Sequence, residues 1–473
     1  MKRTISLLIL CSMLASLAAC GQASNGGTTT DDKSSVSDSS ETNAPETVDP
    51  TLVPPDTTDK YKGMTYRIFN GYYDLDWKYC SVEIYPDEMD GEVLNDALVK
   101  RCRDTEERLG ITIQVDNGTL DQIKNNISAQ DDFANVTYAD LSNVMSLVSQ
   151  AYCVDFYDLP NIDLSKAWWD HNAEDKLSFS GHLYYTFNDH IFTQTENARA
   201  IYFNKPMAEE VQTGDLYDLV RTGKWTLDKM YDLGKTAVAD LNGDTVYDEN
   251  DRYGVSGTFV QLAESLLTGS SAEIIQKNSD GDPYFFCFTE RFNTVYEKVL
   301  DIMTKDNVVN VKSVDFSTGH SLFCADAIIA ATRLREMRDD FGILPVPKYD
   351  EAQKKYYSVS PNPHAMLIPV TVSDLDFTGA VTEELAYQSN KTLLPAYYEN
   401  TLKGKTTRDN DSIEMIDLIH NNVSYTIKII GTQFSDALYA EMQKKSGNLA
   451  SMLEKWNEKV HTKLEKELSR YAD

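Results

Sequence analysis

The spacing of apolar and polar positions sets out an alternation of strands and helices. "MTYRIFN", residues 64–70, is a short apolar run and reads as a first buried strand. In "VLNDALVKRCRDTEERLG", residues 93–110, Leu94, Ala97, Leu98 and Cys102 fall on one helical face and Gly110 closes the helix. "ITIQV" follows as a strand. A strand–helix–strand start predicts an α/β layer with a parallel sheet. "ANVTYA" adds a strand, and "ADLSNVMSLVSQAYCVDFYDL" a helix with a short extended segment. "HLYYTFN" and "ARAIYFN" read as strands flanking a mid-chain crossing. "TLDKMYDLGKTAVADL" is a helix with Thr226 as its N-cap, and "VYEKVLDIMTKDN" is another. "DAIIAAT" reads as a compact buried strand. "FGILPVPKYDEAQKKYYSVS" has two prolines that break a helix and reads as strand plus loop. The final hundred residues, roughly, are mostly helical by the same periodicity, and no internal repeat is found.

The N-terminus locates the chain. Lys2 and Arg3 precede "TISLLILCSMLASLA", an apolar run too short to cross a bilayer comfortably. It ends in "LAAC", Leu17 to Cys20, followed by Gly21, which resembles the lipobox of bacterial lipoproteins. The resemblance implies a signal peptide over 1–19 and lipid, palmitate included, on Cys20. An ordinary secretory signal is the alternative, and both place the mature chain outside the cytoplasm. Residues 20–60 carry no aromatic residue and are rich in Ser, Thr, Asp, Glu and Pro, so they cannot bury enough apolar surface to fold. They read as a tether of about 40 residues with a reach of roughly 35 Å.

The body from 61 to 473 is too long for one core and predicts two or more domains. The formal net charge of −30 for the whole chain leaves no basic stripe for nucleic acid and disfavours lying on an anionic membrane face. Cys80, Cys102, Cys153, Cys287 and Cys324 are widely spaced, without a CxxC, and suggest neither a disulfide framework nor a zinc site.

Seven patterns occur in this order: "GEVLNDALVKR", "GHLYYTFND", "AIYFNKPM", "GKWTLDKM", "DLNGDTVYDENDRYG", "FGILPVPKYDEAQKKYYS" and "LLPAYYENTLKGKTTRD". Together they resemble family 1 extracellular solute-binding proteins of bacterial ABC importers. The better marker is "YFNK", Tyr202 to Lys205, directly after a strand, with "GKWT" about twenty residues later. The resemblance implies an α/β, two-lobed periplasmic-binding-protein-like type II fold with a hinge and an interlobe cleft. It implies a monomer that binds a sugar or oligosaccharide and delivers it to the transmembrane subunits of an ABC permease. On this reading the first lobe takes 61–187 and 312–358, and the second takes 188–311 and 359–473. The sequence departs late: "NNVSYTIKIIG", 421–431, lacks the acidic residue expected near Tyr425.

In open α/β sheets, ligands sit outside the carboxyl ends of the strands. That rule selects Asn70, Tyr72 and Tyr73 after the first strand, and Asp140 and Asn143 after "ANVTYA". Thr195 and Glu196 lie at the crossing, Gln261 follows "GVSGTFV", and Arg333 follows "DAIIAAT". Sugar recognition needs a flat aromatic face and planar polar groups for vicinal hydroxyls. Trp77, Trp168 and Trp169 join the tyrosines as aromatic candidates. The adjacent tryptophans point different ways, so at most one of them, taken as Trp169, serves the cleft. The polar alternative for Arg333 is a surface salt bridge.

"DLNGDTVYDEND", 240–251, places Asp240, Asn242, Asp244, Asp248 and Asp251 at positions 1, 3, 5, 9 and 12 of a calcium-loop spacing, with the Val246 carbonyl at position 7. Two features depart from it: Thr245 stands where Gly eases a positive φ, and Asp251 replaces the longer Glu. A helix before and a strand after make it a structural calcium loop in one lobe, or else an Asx-rich polar turn. No GxSxG, HExxH, GxGxxG or P-loop occurs, so no enzyme and no catalytic cofactor is expected. A surface glycoside hydrolase and a non-transport sensor or adhesin lipoprotein stay open as alternatives, since no sequence shows the spatial separation of a carboxylate pair.

Overall fold

The computed structural model describes residues 59–71, 83–311, 315–397, 409–444 and 448–471. Its strands in chain order are β1 (Thr65–Asn70), β2 (Thr112–Asn117), β3 (Val136–Asp140), β4 (Arg199–Asn204), β5 (Tyr253–Ser256), β6 (Ile275–Lys277) and β7 (Pro283–Phe285). They continue with β8 (Val309–Asn310), β9 (Ser321–Ala327), β10 (Phe341–Leu344), β11 (Ser358–Ser360), β12 (His364–Leu367) and β13 (Val423–Tyr425).

The first sheet has the order β12-β3-β1-β2. β1 pairs in parallel with both β2 and β3, as the strand–helix–strand start predicts. Ile68 stands opposite Val115 on one side and Val136 on the other, and Ile68 and Val136 are fully buried. The connecting helix Val93–Leu109 buries Ala97, Leu98 and Cys102 and ends at Gly110, whose φ of 67° suits a residue without a Cβ. The helix also buries Arg101, which a sequence pattern assigns to solvent. Its guanidinium donates to the His190 carbonyl, to Ser389 Oγ at 3.0 Å and to the Ile84 carbonyl at 2.8 Å.

The second sheet has the order β10-β4-β9-β5-β8. β4 lies antiparallel to β9 and β10, while β5 is parallel to β8 and β9. The helix Leu227–Ala237 is capped by Thr226, whose side chain accepts from the Lys229 amide. Trp225 is fully buried and donates from Nε1 to the Pro345 carbonyl at 2.8 Å.

This topology corrects the domain boundaries read from sequence. Residues 312–358 were assigned to the first lobe, but β9 and β10 hydrogen-bond to β4 and β5 in the second sheet. Residues 359–473 were assigned to the second lobe, but β12 pairs with β3 in the first. The helix Leu375–Gln388 follows β12 there: Thr378 accepts from Asn135 Nδ2 at 2.8 Å, and Thr382 shares a 2.6 Å hydrogen bond with the Tyr66 hydroxyl. The helix Asn410–His420 packs on the second sheet, where Ser412 Oγ accepts from the Ile343 amide at 3.1 Å. The physical reason is hydrogen-bond pairing between strands far apart in sequence, which periodicity does not encode.

Two local readings also change. "DAIIAAT" is not a strand: β9 is the preceding "SLFCADA", and the chain then turns through Ile328–Ala330 into a short helix, Ala331–Leu334. "HLYYTFN" forms isolated bridges, among them Thr186 to Met366 and Trp169 to Asn188. Cys102, Cys153, Cys287 and Cys324 are free and buried. No helix among the described residues is long and apolar enough to cross a membrane.

Trp168 and Trp169 both turn inward onto one carboxylate. Their indole nitrogens donate to Glu383 Oε1 at 3.0 Å and Oε2 at 2.9 Å. Burial pushes Glu383 up to about 7, against hydrogen bonds from Trp169, Asp163 and Trp168 that pull it down. Glu383→Ala leaves two buried indole donors unpaired, at about 1–3 kcal/mol each, so urea unfolding at pH 7 is expected to show a loss of about 2–5 kcal/mol. A carboxyl raised in the folded state contributes stability that is present at acid pH and lost as pH rises toward 7. The stability of Glu383→Gln relative to the parent chain is therefore expected to improve between pH 5 and pH 8. An unchanged difference across that range would show that the carboxyl does not titrate as its burial implies.

Candidate functional site

The carboxyl ends of the parallel strands in the second sheet open onto a cavity of about 340 Å³. Gly257, Thr258 and Gln261 line it after β5, and Cys324, Asp326 and Arg333 line it from β9 and beyond. Gly257 has φ 151°, and a Cβ there would stand 3.2 Å from the Ala325 carbonyl, so the β5 turn requires its absence. Arg333 Nη2 lies 2.7 Å from Asp326 Oδ2, and Arg199 Nη1 lies 4.0 Å from Asp326 Oδ1. The Arg333 side chain remains 50% exposed, so part of its planar donor fork faces solvent. Burial raises the Cys324 thiol to about 12, which keeps it protonated and unreactive at neutral pH. The cavity therefore offers donors and acceptors for hydroxyl groups.

The other residues selected from sequence have different surroundings. Asp140 caps the helix Leu141–Val148: Oδ1 accepts from the Ser142 amide at 2.7 Å and the Asn143 amide at 3.1 Å. Asn143 Nδ2 donates to its Oδ2 at 3.1 Å. Asp140 and Asn143 are thus joined to each other at the helix start. Asn70 is buried at the end of β1. Thr195 and Glu196 are buried in the short helix Thr193–Glu196 of the crossing segment, and Thr195 Oγ1 shares a 2.7 Å hydrogen bond with His420 Nδ1. Tyr72, Tyr73, Trp77 and Cys20 lie outside the described residues.

Trp169 lines a second cavity, of about 410 Å³, where the crossing segment meets the end of the helix Asn410–His420. Asp170, Asp189, Gln194, His420 and Asn421 line it as well. Sequence reasoning missed these residues. The polar density of "FNDHIFTQTEN" was the available signal, but only the pairing of Thr186 with Met366 brings this segment beside β12. Burial pushes Asp189 up to about 7, opposed by a 2.8 Å hydrogen bond from Asn390 Nδ2.

No protein-family model and no curated protein matches the sequence. Solved structures do. A cyclo/maltodextrin-binding protein complexed with maltotetraose is 13% identical with a TM-score of 0.58, over 87% of this chain and 97% of that one. The sugar-binding protein MalE of Xanthomonas citri is 11% identical with a TM-score of 0.58, over 87% of this chain and 100% of that one. An ABC substrate-binding protein of Listeria monocytogenes in complex with cycloalternan is 12% identical with a TM-score of 0.53, over 85% and 98%. The fold is that of the two-lobed extracellular solute-binding proteins.

Within this solute-binding fold, the 240–251 loop sits between the helix Leu227–Ala237 and β5, as predicted. Its carboxylates accept from the loop's own amides. Asp240 takes Gly243 and Thr245 at 2.7 and 2.8 Å, Asp244 takes Val246 at 2.7 Å, and Asp251 takes Leu241 and Asp248 at 2.9 Å each. Thr245 adopts φ 67°, the left-handed conformation the spacing demands at position 6. Asn242 Nδ2 donates to Asp244 Oδ2, and Val246 is exposed. Among the described residues no group of three or more His, Cys, Asp or Glu is gathered as metal ligands. The calcium expectation thus rests on spacing alone, and the loop closes as a series of Asx turns. Asp251 is fully buried, so Asp251→Ala orphans two backbone amides and is expected to lower stability by about 1–3 kcal/mol in chelator-treated protein. Equal melting temperatures for variant and parent would show that these bonds do not close the loop.

Proposed function

We propose that the protein is an extracytoplasmic carbohydrate-binding protein that holds an oligosaccharide between its lobes and delivers it to an ABC permease. The observation that carries the reading is the cavity at the carboxyl ends of the second sheet, with Arg333 and Gln261 in its wall. It lies where open α/β sheets bind ligands, in a fold whose solved examples include complexes with maltotetraose and cycloalternan. Arg333 is held by Asp326 and stands half exposed at the cavity wall, where a planar guanidinium suits vicinal ring hydroxyls, while the Gln261 amide supplies a donor and an acceptor. Asn70, Asp140, Asn143 and Glu196 remain further ligand-binding candidates in this reading. The aromatic faces would come from Tyr72, Tyr73, Trp77 or Trp169. Lipid on Cys20 would anchor the chain at the outer face of the cell membrane.

Calorimetry against a panel of neutral oligosaccharides tests the reading. A saccharide in the panel is expected to bind, and Arg333→Ala to weaken it by about 1.5–3 kcal/mol, the range for hydrogen bonds to charged groups. Thermal stability should change little, because exposed ion pairs of the Arg333–Asp326 kind contribute about 0–1 kcal/mol. Unchanged affinity with a lowered melting temperature would make Arg333 a structural salt-bridge residue. Response to peptides alone would overturn the carbohydrate class.

A further inference from the structure

The cavity beside Trp169 differs in charge from the one at Arg333. Two carboxylates, Asp170 and Asp189, line it, and among the described residues no lysine or arginine does. Asp170 is held in place: Oδ1 accepts from the Ala173 amide at 2.9 Å, and Oδ2 accepts from the Tyr425 hydroxyl. Asp189 has Asn390 as its hydrogen-bond donor, and the charge that acts on it is that of Asp170. A buried carboxylate, Asp189, sharing one space with the half-buried Asp170 is a costly arrangement, and a cationic guest relieves it. An independent feature points the same way. Gln194 also lines the cavity and is only 3% exposed. Its Nε2 donates to the Asn188 carbonyl at 3.4 Å, but its Oε1 has no hydrogen-bond partner. Burial lowers the pKa of His420, so this ring stays neutral at neutral pH and does not supply the missing charge. Trp169 adds an aromatic wall, held by its hydrogen bond to Glu383.

A pair of carboxylates, an unpartnered buried amide oxygen and one aromatic wall define the guest. We propose that this cavity is a subsite for a protonated amino group on the bound ligand, so that the protein selects saccharides carrying a free amine. The inference rests on the carbohydrate reading and narrows it. The subsite spans both lobes: Asp170 precedes a helix whose neighbouring tryptophans dock on Glu383 of the first lobe, and His420 ends a helix packed on the second sheet. An ammonium held there would attract carboxylates at short range in a poorly solvated space, where charge interactions are strong. A neutral N-acetyl group at the same position would present a carbonyl to carboxylates and lose that attraction.

The test is calorimetry at pH 7.5 with three probes: a fully deacetylated chitosan tetrasaccharide, its N-acetylated counterpart and maltotetraose. The free-amine tetrasaccharide is expected to bind at least tenfold more tightly than the other two. Asp189→Asn should bring the affinity for the free-amine probe down to that for the neutral probes. Glu454→Gln, which removes an equal charge from the exposed face of the C-terminal helix, should leave the advantage intact and so separate a local effect from the overall charge of −30. If Asp189→Asn does not fold, Gln194→Leu takes its place, with the same loss expected. Equal or tighter binding of the neutral probes overturns the subsite and leaves the carbohydrate reading standing. Loss of the advantage in Glu454→Gln also overturns it. Failure of all three probes and of the neutral panel overturns both.

Discussion

The first lobe depends on seating a helix that comes from the far end of the chain. Leu375–Gln388 lies more than two hundred residues beyond most of what it packs against, and it is buried around nearly its whole circumference. It docks through polar groups. Glu383 accepts from Trp168 and Trp169, Thr382 meets Tyr66, Thr378 meets Asn135, and Arg108 reaches Glu384 at 2.9 Å. Apolar contacts would tolerate sliding of the helix along the sheet. Paired buried donors and acceptors do not, because a shift of one position leaves several of them unsatisfied. This fixes the helix, and with it the orientation of the two tryptophans and of the chain that follows them.

That seating shapes both cavities. Because Trp168 and Trp169 are turned onto Glu383, Asp170 is left at the start of the helix His171–Leu177, facing the crossing segment. The crossing is held from the other side by Arg101, whose guanidinium bonds the His190 carbonyl and Ser389. Between these anchors, Asp189 and Gln194 are buried without a cation. The Arg333 cavity is built differently. There the chirality and close approach of β5 and β9 matter, with Gly257 making the turn that Gln261 follows. The Arg333 cavity sets one guanidinium beside Asp315 and Asp326, whereas the Trp169 cavity is lined by Asp170 and Asp189.

The Asp240–Asp251 loop shows how spacing underdetermines chemistry. Aspartates two and four residues apart can converge on an ion or fold back on their own amides, and both outcomes use the same backbone turns. The left-handed Thr245 satisfies either. What holds the loop here is the buried Asp251 carboxylate, which closes the segment onto Leu241 and Asp248.

The sequence alone determined the local elements. Helix periodicity, the Thr226 cap and the Gly110 stop each act over a few residues, so β1, the helix Val93–Leu109, β2 and the helix Leu227–Ala237 are legible without tertiary information. Arg333 does not follow a strand "DAIIAAT" as read, but lies in the short helix Ala331–Leu334, and the structure brings it and Gln261 into one cavity. Which strands pair was decided only in three dimensions. The assignment of 312–358 and 359–473 to lobes failed because β9 pairs with β4 and β12 with β3, each more than a hundred residues away, through backbone groups that every residue carries alike. Asp170, Asp189 and Gln194 were illegible for a related reason. A polar side chain reads as solvated until the fold removes its water, and only tertiary packing decides where water is excluded.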